Sequence, residues 1–265
     1  MDKTALLDRL GAAGDDRLLL AKILDRSDQA RRRNIPAATD FLSPQQQAMG
    51  LDLLRLAGIP ETEYALLGGF GEAERKLFLF LPDWLEPGDA AAQSPIRCLR
   101  ASFRAEFTLS HRDFLGSLMG MGVVREKIGD ILVGPDSTDL LVLEGVSEFL
   151  LQSWASAGKA KLSVTEIPLD RIHIPEVKCR EVRDTVSSLR LDAVAASGFQ
   201  MARGRAADLI SAGKMQVNWR ECLKPDKLLA AGDVITARGF GKIELAAVGG
   251  VTRKGRTSIT LKRYG

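Results

Sequence analysis

The residues best placed to do chemistry are two arginines that open one short helical segment, and the chemistry is phosphate binding. In Ala202-Arg203-Gly204-Arg205-Ala206-Ala207-Asp208-Leu209-Ile210-Ser211-Ala212-Gly213, the spacing puts Ala206, Leu209 and Ile210 on one apolar face and leaves Arg203 and Arg205 at the helix start. Free backbone N–H groups and guanidinium groups there favour the same anion. Upstream, residues 188–198 predict another short helix, ended by Gly198 at the position that favours a left-handed residue. Downstream, residues 214–218, 234–238, 242–247 and 257–263 read as strands, the second following a Gly232-Asp233 turn. Two small helices on a twisted sheet are expected.

Charge at this end of the chain fits a polyanion partner and, equally, a merely solvated face. Residues 181–265 hold 15 Lys and Arg against 8 Asp and Glu, a net +7, which leaves −4 for the first 180 residues of a chain whose total is +3. Each phosphate neutralised by such a surface releases condensed counterions.

The rest of the chain predicts two further regions in an α+β protein. Residues 1–92 read as a helical N-terminal region: Leu18, Leu19, Leu20, Ile23 and Leu24 recur at helical spacing, as do apolar residues in 45–57, with Ser43-Pro44 as cap and first helical residue. The Arg31-Arg32-Arg33 triplet before Asn34-Ile35-Pro36 reads as a solvated helix end. Residues 93–170 alternate as strand 96–107, helix 109–121, strands 128–133 and 140–143, helix 146–157 and strand 161–167. That β-α-β-β-α-β order is the split βαβ arrangement shared by RNA-recognition modules and many unrelated proteins, and these strands lack the exposed rings that an RNA-stacking sheet presents. Residues 171–185 are expected to be a linker, and 186–265 the basic domain.

The basic segment resembles the RNA-binding domain named after small-subunit ribosomal protein S-four. The matching residues are Arg190-Leu191-Asp192, Arg203 with Ala206-Ala207, Leu209-Ile210-Ser211-Ala212-Gly213-Lys214-Met215-Gln216-Val217-Asn218, and Ala231-Gly232-Asp233-Val234-Ile235, with Ala202 where serine is common. Upstream, Thr39-Asp40-Phe41-Leu42-Ser43-Pro44, Gly68-Gly69-Phe70-Gly71-Glu72-Ala73-Glu74-Arg75-Lys76, His111-Arg112-Asp113-Phe114-Leu115-Gly116 and Arg125-Glu126-Lys127-Ile128-Gly129-Asp130 are similar to the YlmH family, which includes photosynthetic-lineage members. The resemblance implies a nonenzymatic, cytoplasmic RNA-binding protein that docks on rRNA or tRNA, associates with the large ribosomal subunit and serves quality control there. It implies an RNA surface of Arg190, Arg203, Arg205, Lys214, Asn218, Arg220 and Lys224, with Arg238 and Lys242 on neighbouring strands. Arg112, Arg125 and Lys127 would extend it in the middle domain. Asn218 also suits a turn.

Other chemistry has weaker support. His111-Arg112-Asp113 echoes a kinase catalytic loop but lacks its companion motifs, and 250–257 is a near phosphate loop with Arg256 in place of lysine and no room for the following helix. Cys98, Cys179 and Cys222 are odd in number and far apart, and with only His111 and His173 beside them no metal, disulfide framework or cofactor is expected. No stretch reaches the ~18 apolar residues of a membrane span. Arg190-Leu191-Asp192 followed by Ser197-Gly198 resembles the catalytic motif of pseudouridine synthases, but with one residue too many and no threonine. An RNA-modifying enzyme of that kind is therefore the alternative, beside an RNA-tethered protein adaptor, photosystem-linked in some lineages, whose acidic N-terminal regions would contact a protein partner.

Overall fold

The computed structural model describes residues 2–176 and 179–264. The chain forms two compact units, Met1–Pro175 and Glu176–Gly265, each with its own core.

In the first unit, helices α1 (Lys3–Arg9), α2 (Gly14–Arg33) and α3 (Pro44–Ala57) pack against a small antiparallel sheet of β1 (Ala37–Ala38), β2 (Tyr64–Leu67) and β3 (Leu77–Phe80), in the order β1-β3-β2. The cap read at Ser43 is a reciprocal capping box: Gln46 N donates to Ser43 Oγ (3.3 Å) and Ser43 N to Gln46 Oε1 (2.8 Å). The arginine triplet lies inside the last turn of α2, which ends at Asn34 in the left-handed conformation (φ 53°).

Strands β4 (Ile96–Ser102), β5 (Ile128–Val133), β6 (Ser137–Leu143) and β9 (Ser163–Ile167) form one antiparallel sheet in the order β5-β6-β4-β9. Helices α4 (His111–Gly120) and α5 (Glu144–Ser153) cover one face, and a minor hairpin of β7 (Ser156–Ala157) and β8 (Ala160–Lys161) follows α5. This is the split βαβ order read from sequence.

Alternation along the central strands shows what the second face does. Leu99, Ala101, Leu140 and Val142 point into the core beneath the helices. Their neighbours Ile96, Cys98, Leu141 and Leu143 point the other way and are buried against Phe41, Leu77, Leu79, Leu81 and Leu85. The regions 1–92 and 93–170, expected as separate domains, thus share a core, because a sheet apolar on both faces needs two covers. Farther along that second face the cross-strand pair Arg100 and Asp139 forms a two-point ion pair, both contacts 2.7 Å, and Asp139 also accepts from His173 N (2.7 Å). The covered face explains the missing exposed rings.

The second unit is a six-stranded antiparallel sheet, β10 (Cys179–Val186), β15 (Thr257–Tyr264), β14 (Gly241–Val251), β13 (Val234–Ala237), β11 (Met215–Val217) and β12 (Arg220–Glu221) in that spatial order, with α6 (Leu191–Phe199) and α7 (Arg203–Ser211) on one face. Two sequence readings change. Residues 171–185 are not all linker: β10 pairs along its whole length with β15, and Val182 packs against the core. Gly198 does not end α6; Gln200 does, in the left-handed conformation (φ 56°). Gly198 instead lets the helix lie on the sheet, since a Cβ there would stand 2.4 Å from Ile243 Cδ1.

A tight point in the first unit gives a stability prediction. A Cβ on Gly129 would meet Leu141 Cβ and the Phe41 ring, each at 2.9 Å, where β5 shifts register against β6. Gly129→Ala is expected to lower the unfolding free energy by about 1–3 kcal/mol in urea titrations, and an unchanged midpoint would show that the shared core yields freely there.

Candidate nucleic-acid interface

The arginines singled out in the sequence are held by one buried carboxylate. Arg190 is the N-cap of α6 and Arg203 the first residue of α7, so nothing local brings them together. Asp192, in the first turn of α6, does. Arg190 donates from Nε to Oδ1 and from Nη2 to Oδ2, both at 3.2 Å, and Arg203 Nη2 reaches both oxygens at 3.2 and 3.1 Å. The carboxylate is nearly sealed while the two arginine side chains remain 38% and 49% exposed. Burial pushes the Asp192 carboxyl up, but the hydrogen bonds from the two guanidinium groups together outweigh it and hold it below the usual carboxylate range. One negative charge thus fixes two positive ones, and the cluster faces solvent with a net positive charge.

Around this fork lie further cations. The 222–229 loop closes over the start of α6: Leu191 N donates to Lys227 O (2.8 Å), Asp192 N to Pro225 O (3.0 Å), and Arg190 bridges to Leu228. That seats exposed Lys224 and Lys227 beside Arg190, with Leu228 71% exposed among them. Arg205, exposed on the first turn of α7, sits 5.4 Å over the ring of Phe240, in the β13–β14 turn next to exposed Arg238, whose N–H donates to Lys214 O (3.0 Å). A stacked guanidinium keeps its N–H edge available for an anion.

Other expected members separate from this group. Asn218 holds a left-handed turn (φ 51°): its Nδ2 donates to Asp233 Oδ1 (2.7 Å) and its Oδ1 accepts from Val234 N (2.9 Å), so its side chain serves the fold. Lys242 lies in β14 next to buried Ile243, on the strand face opposite the helices, with its ammonium 4.7 Å from the Tyr264 ring centre. Arg220 is exposed on the edge strand β12.

The three cations expected in the middle domain belong to the first unit, where two of them are engaged. Arg125 is half-buried and donates to the carbonyls of Ile128 (2.9 Å) and Gly129 (3.1 Å); burial first of all lowers its pKa. Lys127 pairs with Asp40 at 2.5 Å. Arg112 is exposed on α4. A residue that sequence reading passed over, Arg75, organises this corner. It donates to Ile128 O (2.8 Å), Phe41 O (3.1 Å) and Arg125 O (3.2 Å), while Asp130 accepts from Glu74 N (2.7 Å) and Arg75 N (3.0 Å). Burial, then Arg125, lowers Arg75 to about 10. The Thr39–Pro44, Gly68–Lys76 and Arg125–Asp130 motifs therefore meet in one polar knot, which explains their residue types as structural. Phe240 and Lys227 were also missed; the Arg-x-Asp spacing was the available signal for the fork.

Comparison with known proteins gives a family and relatives to which the chain is similar. The family described as "Putative RNA-binding domain in YlmH" matches residues 96–171, the four-stranded sheet and its helices. The "Ribosome-associated protein quality control protein P2" of Bacillus subtilis (strain 168) is 32% identical over 250 residues, 94% of this chain and 95% of that protein. A solved structure, "Cell division protein ylmH from Streptococcus pneumoniae", is 20% identical and covers 61% of this chain and 97% of its own, with a TM-score of 0.48.

The fork makes a pH prediction. Because the folded pKa of Asp192 lies below an unfolded value of about 3.9, the clamp stabilises the second unit above that pH and is lost as pH falls through the folded value. Asp192→Asn is expected to cost about 1–3 kcal/mol at neutral pH. The gap from the parent protein in urea titrations should close down the acid limb; a gap of constant size would show that the carboxylate's charge does not matter.

Proposed function

The chain belongs to the YlmH family, and from that premise we propose that it binds structured RNA, rRNA or tRNA, and docks on the large ribosomal subunit in quality control of translation, without catalysing a reaction. The observation that carries the reading is the pair of guanidinium groups fixed on Asp192 at the start of two helices, with Arg205, Lys224 and Lys227 around them. Pre-set arginines lose little freedom on meeting a phosphate and offer two parallel donors. A cytoplasmic location follows from a ribosomal partner.

The family match on 96–171 supports a second contact in the first unit, but by a different route from the stacking sheets of RNA-recognition modules. Both faces of that sheet are buried, so contact there would use loops and helix ends such as Arg112. An enzymatic use of Asp192 on uridine has less support, since both carboxylate oxygens are bound to arginine. Uridine turnover abolished by Asp192→Asn would restore it.

Binding to purified large subunits should fall by about 0.7–0.9 log units per tenfold salt for every phosphate contacted. Arg203→Ala with Arg205→Ala is expected to weaken binding and flatten that slope by about two contacts. Co-sedimentation across a salt series measures both, and an unchanged slope in a folded double variant would refute the site.

A further inference from the structure

Resting on the RNA-binding reading, we propose that the tip of the β14–β15 hairpin is a second RNA-contacting element, which lays Arg253 and Lys254 against the phosphates of a base-paired RNA segment. Neither residue belongs to the fork or its surroundings.

Three observations carry this. The first is charge: residues 245–264 contain Arg253, Lys254, Arg256, Lys262 and Arg263 and no Asp or Glu. The second is shape. Ile243 and Leu245 are buried, but β14 slips register between Leu245 and Ala247 and again between Val248 and Val251, and from Ala247 to Val251 every residue is exposed, Val251 to 71%. Bulges of this kind bend and over-twist a strand, and here they leave the end of β14, with Gly249 and Gly250 in it, exposed while β15 stays paired with β10 as far as Thr257. Only the 252–256 turn extends past the three paired strands β10, β15 and β14, so its fixed position needs a local cause. That cause is Arg256. Its Nε donates to Thr185 Oγ1 (2.9 Å) and its Nη2 to the Thr185 carbonyl, tying the tip to β10. The turn itself is closed by Thr252 N to Arg256 O (2.7 Å) and Gly255 N to Thr252 O (2.9 Å).

The third observation is what is left over. With Arg256 committed to the fold, Arg253 and Lys254 stand exposed on a fixed turn and form no ion pair among the described residues. The turn also lies toward the end of the sheet that leads into the fork: Thr257 pairs with Val186, four residues before Arg190. The composition selects the ligand. Residues 246–259 contain no aromatic ring, so the tip has nothing on which an unpaired base could stack. It also lacks the aromatic anchors that mark protein-binding hot spots. A narrow cationic turn instead suits the sugar-phosphate edges of the wide, shallow minor groove of A-form RNA.

The test uses the full chain and two fluorescein-labelled probes, an RNA stem-loop and a poly(U) strand, titrated over a salt series. Arg253→Ala with Lys254→Ala should weaken stem-loop binding and reduce the salt slope by about one per residue replaced. The charge-keeping exchange Arg253→Lys with Lys254→Arg should retain both. Combined with Arg203→Ala and Arg205→Ala, the losses should multiply, as for independent contacts. A parent protein that binds the stem-loop while the hairpin variant matches it in affinity and slope would overturn the inference and leave the RNA reading standing. Equal losses on stem-loop and poly(U) would overturn the base-paired assignment. A parent protein that binds neither probe would overturn both readings.

Discussion

Burying two faces of one sheet is the constraint from which the first unit follows. Leu141 and Leu143 alternate with Leu140 and Val142 on β6, so whichever set the helices cover, the other must be covered from elsewhere. Phe41 and strand β3 supply that second cover, and the polar knot around Arg75 and Asp130 fastens the segments that bring them there. The carbonyls of Phe41, Arg125 and Ile128 all accept from a guanidinium that is itself half sequestered. Function is shaped by the same packing: a sheet of the RNA-recognition order has spent on its own core the face that such modules present to bases.

In the second unit a single anion does comparable work by electrostatic means. Two exposed arginines on adjacent helices would repel one another, and the buried carboxylate between them removes that cost while limiting their motion. The arrangement differs from an exposed ion pair, which contributes little because both partners remain solvated and mobile. Here the anion is sealed and hydrogen-bonded to both cations, so the surface is preorganised before any ligand arrives.

Much of this was legible in the residues. The helix-strand order of the middle segment follows from periodicity and turn residues, as do α6, α7 and the strands β11, β13, β14 and β15 of the second unit, and the capping box at Ser43 and Gln46 was readable as a cap. Less visible were long-range outcomes. Leu77-Phe78-Leu79-Phe80 has no alternation to mark it as a strand, because it is buried on both sides. Strand β10 reads as a charged linker, because an edge strand needs few apolar residues and its pairing is made with residues at the far end of the chain. At the candidate site, Arg203 and Arg205 were singled out by type and spacing and Arg190 through the family resemblance, but whether a cation faces solvent or its own backbone depends on tertiary contacts. Arg125 and Lys127 look like surface charge in sequence and prove to be engaged with Ile128, Gly129 and Asp40.

Strand β10 also has a consequence for the behaviour of the protein in a crowded solution. An edge strand offers unpaired backbone groups to any other extended chain, and the other edge here, β12, is only two residues long. The β10 edge carries Arg180, Glu181, Arg183 and Asp184 among its eight residues. A neighbour adding itself there would have to strip water from charged side chains on both sides of the strand, which disfavours addition of an apolar extended chain. The same residues that disguise the strand in the sequence therefore guard the open margin of the sheet against apolar chains.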